Sequence, residues 1–251
     1  MRDYQQVINE RYEKENLSVP ESNIYAPINP IGQYIMIKEI KLLTFFLKKL
    51  AVERNKHLNE CKILDCGCGG GTVSRIVAEL VGSSENIYGF ELSKNRLEKC
   101  KKMNGTIHYR YGDVVKAFPF SEIKFDAAMA VFVLSHIRTR EDLCSALENI
   151  YSSLDAGGLF MWLEINAKTH YANFDADTQG FSHKEMDELA KRSGFELCAH
   201  KGIGKLISIP MTNSRINTLY MPGKMPIPLV EFVSLLGPFP CAYSARIYYK
   251  V

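Results

Sequence analysis

The stretch Ile63-Leu64-Asp65-Cys66-Gly67-Cys68-Gly69-Gly70-Gly71-Thr72-Val73-Ser74-Arg75-Ile76-Val77-Ala78-Glu79-Leu80 decides the fold. A short apolar run enters a turn carrying four glycines. Apolar residues then recur at Val73, Ile76, Val77 and Leu80, the spacing of one helix face. This is strand, tight turn, helix. Glycine is required where the backbone bends sharply and a ligand must come close. The helix start adds unpaired N–H groups and the positive end of a dipole. The stretch therefore reads as a nucleotide-type cofactor site. A phosphate loop needs Gly-Lys-Ser/Thr, and no lysine follows these glycines. A dinucleotide fingerprint needs a third glycine where Thr72 stands. The spacing present is G-x-G-x-G at Gly67, Gly69 and Gly71, preceded by Asp65.

Working outward, residues 86–91 read as a second strand ending on Glu91, where an acid can accept two hydrogen bonds from a ribose diol. Ser93 caps a helix over residues 94–103. A third strand, 106–111, leads into Gly112-Asp113-Val114, and His108 reads as a residue of that strand. The apolar run 124–134 has the look of a central parallel strand buried on both faces. Thr139-x-x-Asp142 caps a helix reaching Ser153, and Gly157-Gly158 are expected to stop it. Residues 159–164 form a fifth strand ending on Glu164. The polar connection 165–181 is longer than common loops and carries His170, Tyr171, Asp175 and Asp177. Ser182-x-x-Glu185 opens a further helix ended by Gly194. Strands over 195–200 and 242–249 flank an irregular stretch, 202–227, and a short helix, 229–236. The whole predicts an α/β fold: a doubly wound, mostly parallel seven-stranded Rossmann-like sheet.

In order and spacing, residues 56–251 resemble the Rossmann-like, class I S-adenosylmethionine-dependent methyltransferases. The resemblance implies an antiparallel last strand and S-adenosyl-L-methionine as cofactor. It places Asp65, Gly67, Gly69 and Gly71 against the methionine part, Glu91 with Leu92 at the ribose, and Asp113 with Val114 at the adenine. Val131 and the residues up to His136 then open onto the methyl group. Leu154-Asp155-Ala156-Gly157-Gly158 resembles the family's L-x-P-G-G step, with Ala156 in the proline position. Residues 1–55 read as an N-terminal helical cap or lid, with a polar helix over 4–16. A loop with Pro20, Pro27 and Pro30 follows, then an apolar stripe from Ile35 to Leu50 that packs on the sheet. Tyr25, Gln33 and Tyr34 of this segment, and Tyr171, are candidate substrate or lid residues. A weaker likeness, carried by Tyr25 and Asn29-Pro30, is to a bacterial subgroup accompanying sugar and polysaccharide biosynthesis.

Composition narrows the function. With 251 residues, 46% of them hydrophobic, the chain supports one good core. A net charge of +3 is too mild to imply nucleic acid or an anionic membrane. No apolar run approaches a membrane helix, and the polar start lacks a signal-peptide core, so a cytoplasmic protein is expected. Seven irregularly spaced cysteines argue against a disulfide framework. Cys66-x-Cys68 is too short for a zinc pair, and no other spacing supports a metal.

A sulfonium methyl is already reactive, so the enzyme's main task is alignment. A hydroxyl acceptor also needs a base. His136 is the first candidate, because it follows the fourth strand and titrates near neutrality; Glu164 and His170 are the alternatives. The expected acceptor is a small molecule, a sugar or sugar-nucleotide hydroxyl. The competing readings are an RNA or protein methyltransferase and a non-catalytic S-adenosylmethionine-binding module. Oligomeric state is not legible.

Overall fold

The computed structural model describes residues 30–103, 105–116, 118–165, 181–203 and 243–251. Helix α1, Pro30–Arg54, begins at a proline, whose fixed φ suits the first helical position. Strand β1 is Ile63–Cys66 and helix α2 is Thr72–Val81. They are followed by β2, Ile87–Glu91, α3, Lys94–Met103, and β3, His108–Tyr111. Next come β4, Phe125–Val131, a 3-10 turn, Leu134–His136, and α4, Arg140–Ser153. Strand β5, Leu154–Ile165, helix α5, His183–Arg192, and strands β6, Phe195–Ile203, and β7, Tyr243–Lys250, complete the described elements.

Among the described residues, seven strands form one sheet in the order β3-β2-β1-β4-β5-β7-β6. The first five pair in parallel, and the last strand, β7, runs antiparallel, as the resemblance implies; it lies between β5 and β6. The strand order reverses between β1 and β4, so the crevice beyond their carboxyl ends is where such sheets take ligands.

Two apolar layers sandwich the sheet. On one face Leu43, Phe46, Leu47 and Leu50 of α1 pack with Val77 of α2 and Leu97 of α3 against Ile63, Met129 and Met161. On the other, Leu147 and Ile150 of α4 and Met186 and Leu189 of α5 cover Leu64, Ala128, Phe160 and Trp162. The capping reading holds: Thr139 accepts from the Asp142 N–H and Ser182 from the Glu185 N–H.

One local expectation is corrected. The glycines at 157–158 do not stop α4. The helix ends at Ser153, Leu154 is already extended and pairs with Phe125, and the β4–β5 register shifts before resuming at Leu159. Gly157, at φ +69°, serves that irregularity inside the strand. The polar helix over 4–16 and the short helix over 229–236 lie outside the described residues.

Candidate functional site

The glycine turn is built by its neighbours. Gly67, Gly69 and Gly71 all have positive φ, at 69°, 56° and 78°. At Gly67 a Cβ would also stand 2.7 Å from Val133 Cγ1, so the turn lies directly against the residues that follow β4. The Cys68 N–H donates to Phe90 O, and Cys100 Sγ donates to Gly69 O at 3.0 Å. The thiols of Cys68 and Cys100 touch at 3.9 Å. That mutual contact and burial push the Cys68 thiol well above its ordinary range, and burial does the same for Cys66. Both thiols are buried packing groups, and no cluster of three His/Cys/Asp/Glu side chains that could hold a metal ion occurs among the described residues.

Glu91 closes the turn. Its Oε2 accepts from the Gly69 N–H and its Oε1 from the Ser93 N–H, both at 2.8 Å. A carboxylate has about four acceptor positions, so each oxygen keeps capacity for a further donor. Asp113 accepts from the Val115 N–H at 3.0 Å, which fixes the bend after β3, and Asn149 of α4 donates to Val114 O at 3.0 Å.

Gly67, Glu91, Leu92, Asp113, Val114 and His136 share one cavity at the strand ends, with Phe90, Arg96, Phe132, Val133 and Ile137 among its other walls. It encloses about 80 Å³. Whole ligand sites run to roughly 300–1,000 Å³, so these walls form one side of a site. Their character suits adenosine: Phe90, Leu92, Val114 and Ile137 offer apolar surface to a flat base, and Glu91 and Asp113 offer carboxylates to a diol and an amine. A larger concavity, about 480 Å³, lies under the edge strand and is lined by Tyr88, Lys101, His108 and Arg110. It has neither the glycine turn nor the paired acids, and it sits toward the amino ends of β2 and β3. Its His108 stacks on Tyr88 with centroids 4.7 Å apart, as a strand residue.

The other site candidates are placed differently. Asp65 does not line the cavity; its Oδ2 accepts from Ser74 Oγ of α2 at 2.6 Å. Burial pushes its carboxyl up to about 7, partly offset by Ser74. Gly69 acts through its N–H to Glu91, Gly71 is the N-cap position of α2, and Val131 packs against the α1–α3 layer. Glu164 is fully buried, and its Oε1 accepts from the Ser135 N–H at 3.0 Å, tying β5 to the turn that carries His136. Gln33 and Tyr34 fall on α1 by backbone; Tyr25, His170 and Tyr171 lie outside the described residues.

Arg96, Phe90 and Ile137 line the cavity without having been singled out from sequence, and Phe132, inside the stretch expected at the methyl end, has a backbone the sequence did not announce. Phe132 sits at φ +55°, left-handed for a bulky side chain, with its N–H donating to Leu163 O. Arg96 stands on the α3 turn that faces the glycines, and its spacing of three from the Ser93 cap was the available signal.

The chain is also similar to known proteins. Residues 63–158 match the family model described as a methyltransferase domain. The chain is 26% identical over 196 residues to 24-methylenesterol C-methyltransferase 3 of Arabidopsis thaliana, covering 70% of this chain and 53% of that protein. It is 31% identical over 111 residues to the demethylmenaquinone methyltransferase of Staphylococcus epidermidis, covering 43% and 44%. The chain thus spans about half the length of these curated relatives. Among solved structures, it shares its fold with the magnesium protoporphyrin IX methyltransferase of Synechocystis with bound SAM. The TM-score is 0.62 at 11% identity, over 100% of this chain and 99% of that one.

Proposed function

We propose that this chain binds S-adenosyl-L-methionine and transfers its methyl group to a small, apolar, ring-bearing acceptor. The observation that carries the cofactor reading is Glu91, held by two backbone N–H groups inside the cavity it shares with Asp113. Glu91 would hold the ribose diol, Asp113 and Val114 the adenine edge, and the turn at Gly67 and Gly69 the methionine part. The cofactor supplies an electrophilic methyl carbon. The chain's own residues supply the rest: apolar walls that exclude water, and the His136 imidazole as the group that takes the acceptor's proton. Glu164 holds the His136 turn in place through Ser135.

The acceptor reading departs from the sugar hydroxyl expected from sequence. The relatives' names speak of a sterol, a demethylated menaquinone and a magnesium porphyrin, and none speaks of a sugar. Phe132, Val133 and Ile137, beside His136, likewise favour an apolar ring. Calorimetry with S-adenosylhomocysteine tests the cofactor reading, and the absence of binding would end it. Labelled-methyl transfer to quinols and sterols, against sugar nucleotides and tRNA, tests the acceptor. His136→Ala is expected to lower kcat about 100-fold while S-adenosylhomocysteine affinity stays within about threefold. An unchanged kcat would remove His136 from proton transfer.

A further inference from the structure

The modest net charge of the chain conceals an uneven distribution. Residues 94–116 hold seven basic and two acidic residues, a net of +5 in a chain whose total is +3. They form one edge of the molecule. Helix α3 buries only Leu97 and Cys100, leaving Lys94, Lys101 and Lys102 exposed beside the edge strand β3. The two acids of the band sit in loose pairs, Glu98 with Lys101 at 3.7 Å and Asp113 with Lys116 at 4.0 Å; Arg110 pairs with Glu122 at 2.6 Å just beyond it, so the excess charge rests mainly on the lysines. Two apolar-bodied side chains stand among the cations. Met103 is 54% exposed and Tyr111 is 47% exposed, with Lys94 Nζ 5.9 Å from the Tyr111 ring centroid. The concavity of about 480 Å³ opens in the same edge, with Lys101 and Arg110 on its rim. At its inner end the band meets the cofactor cavity: Arg96 lines that cavity, and the Lys99 chain passes over Gly70.

We infer that this edge docks the protein on the anionic surface of a lipid bilayer. Charge complementarity carries the inference: clustered lysines and arginines are drawn to negatively charged headgroups, and exposed Met and Tyr beside them suit the headgroup boundary. The choice of a bilayer over another polyanion rests on the apolar acceptor proposed above, which such a surface would deliver beside the cavity. The docking is peripheral; no helix among the described residues is long and apolar enough to cross a membrane.

The test is sedimentation of the full chain with phosphatidylcholine vesicles, with and without about one-third phosphatidylglycerol. The chain is expected to partition only onto the anionic vesicles and to be released by salt. Lys94→Gln/Lys101→Gln/Lys102→Gln is expected to lower partition about 100-fold, at roughly fivefold per cation, while S-adenosylhomocysteine affinity, which reports folding, is retained. Equal partition onto neutral vesicles, no partition, partition unchanged in the folded triple variant, or tighter binding to single-stranded RNA than to anionic vesicles would each overturn the inference. Partition needs no turnover. A chain that docks but transfers no methyl group keeps the surface and loses the acceptor reading; one that methylates a quinol but ignores vesicles does the reverse.

Discussion

Asp65 and Asp126 lie at opposite ends of the paired strands β1 and β4, and both are nearly sealed from solvent, at 2% and 3% exposure. Their carboxyls are nevertheless pushed in opposite directions. Burial acts on Asp126 to raise it. Lys56 at 2.8 Å, the Lys62 N–H at 3.0 Å and Arg54 at 2.8 Å outweigh that and hold it below its usual range. Asp65 has no cation beside it: burial, with the nearby Glu91 charge, raises it to about 7 against the hydroxyl and backbone N–H of Ser74. The end of the sheet away from the cavity is neutralised by cations from its own chain. At the cavity end, Asp65 and Glu91 are satisfied by a hydroxyl and by backbone N–H groups. The molecule spends stability where a ligand is to bind and recovers it where none does.

The sharpest way to break this comparison is pH. A raised carboxyl costs stability as pH climbs from the unfolded value, near 4, to about 7, because the unfolded chain releases its proton first. Asp65→Asn is therefore expected to abolish a loss on the order of 4 kcal/mol between pH 4 and pH 8, read from urea midpoints at both. If wild type and variant lose stability in parallel over that window, Asp65 is not the strained end. Asp126 obeys the opposite sign: its contribution is present above about pH 4 and lost only as pH falls through its depressed value. Asp126→Ala removes the acceptor shared by Arg54, Lys56 and the Lys62 N–H and is expected to cost about 3 kcal/mol at pH 7, seen in Tm, with S-adenosylhomocysteine affinity within about twofold. The smallest effect is in binding. Glu91→Ala is expected to weaken S-adenosylhomocysteine about 100-fold, from lost hydrogen bonds to a charged group, measured by calorimetry. A larger fall in Tm than in affinity would place Glu91 with Asp126 as a structural acid.

Much of this arrangement was legible in the chain itself. The glycines at 67, 69 and 71 announced a sharply bent backbone, and the structure has positive φ at all three. Thr139 and Ser182 announced helix starts because a hydroxyl there meets a free N–H. The direction of Asp65 was not legible. In a four-residue strand buried on both faces, every position reads as inward, and only the packing of α2 decides that the carboxyl meets Ser74. Gly157 misled for a related reason. A left-handed glycine ends helices and also kinks strands, and the pairing of Leu154 with Phe125, which settles it, is non-local. Phe132 could not be read at all: nothing in its residue type foretells a left-handed backbone, which the hydrogen bond to Leu163 and the fit of Val133 over Gly67 impose.

The bond from Ser135 N–H to Glu164 has a mechanical consequence. It acts as a tie rod on one side of the crevice where the strand order reverses, joining the outgoing end of β5 to the turn after β4 that carries His136. The carboxylate is sealed from water, so solvent does not compete for that bond, and the end of β5 is coupled to the turn after β4. Whatever presses on the chain as it leaves β5 therefore pulls on the imidazole as well, and the distance from His136 to an incoming acceptor is set partly from a neighbouring strand.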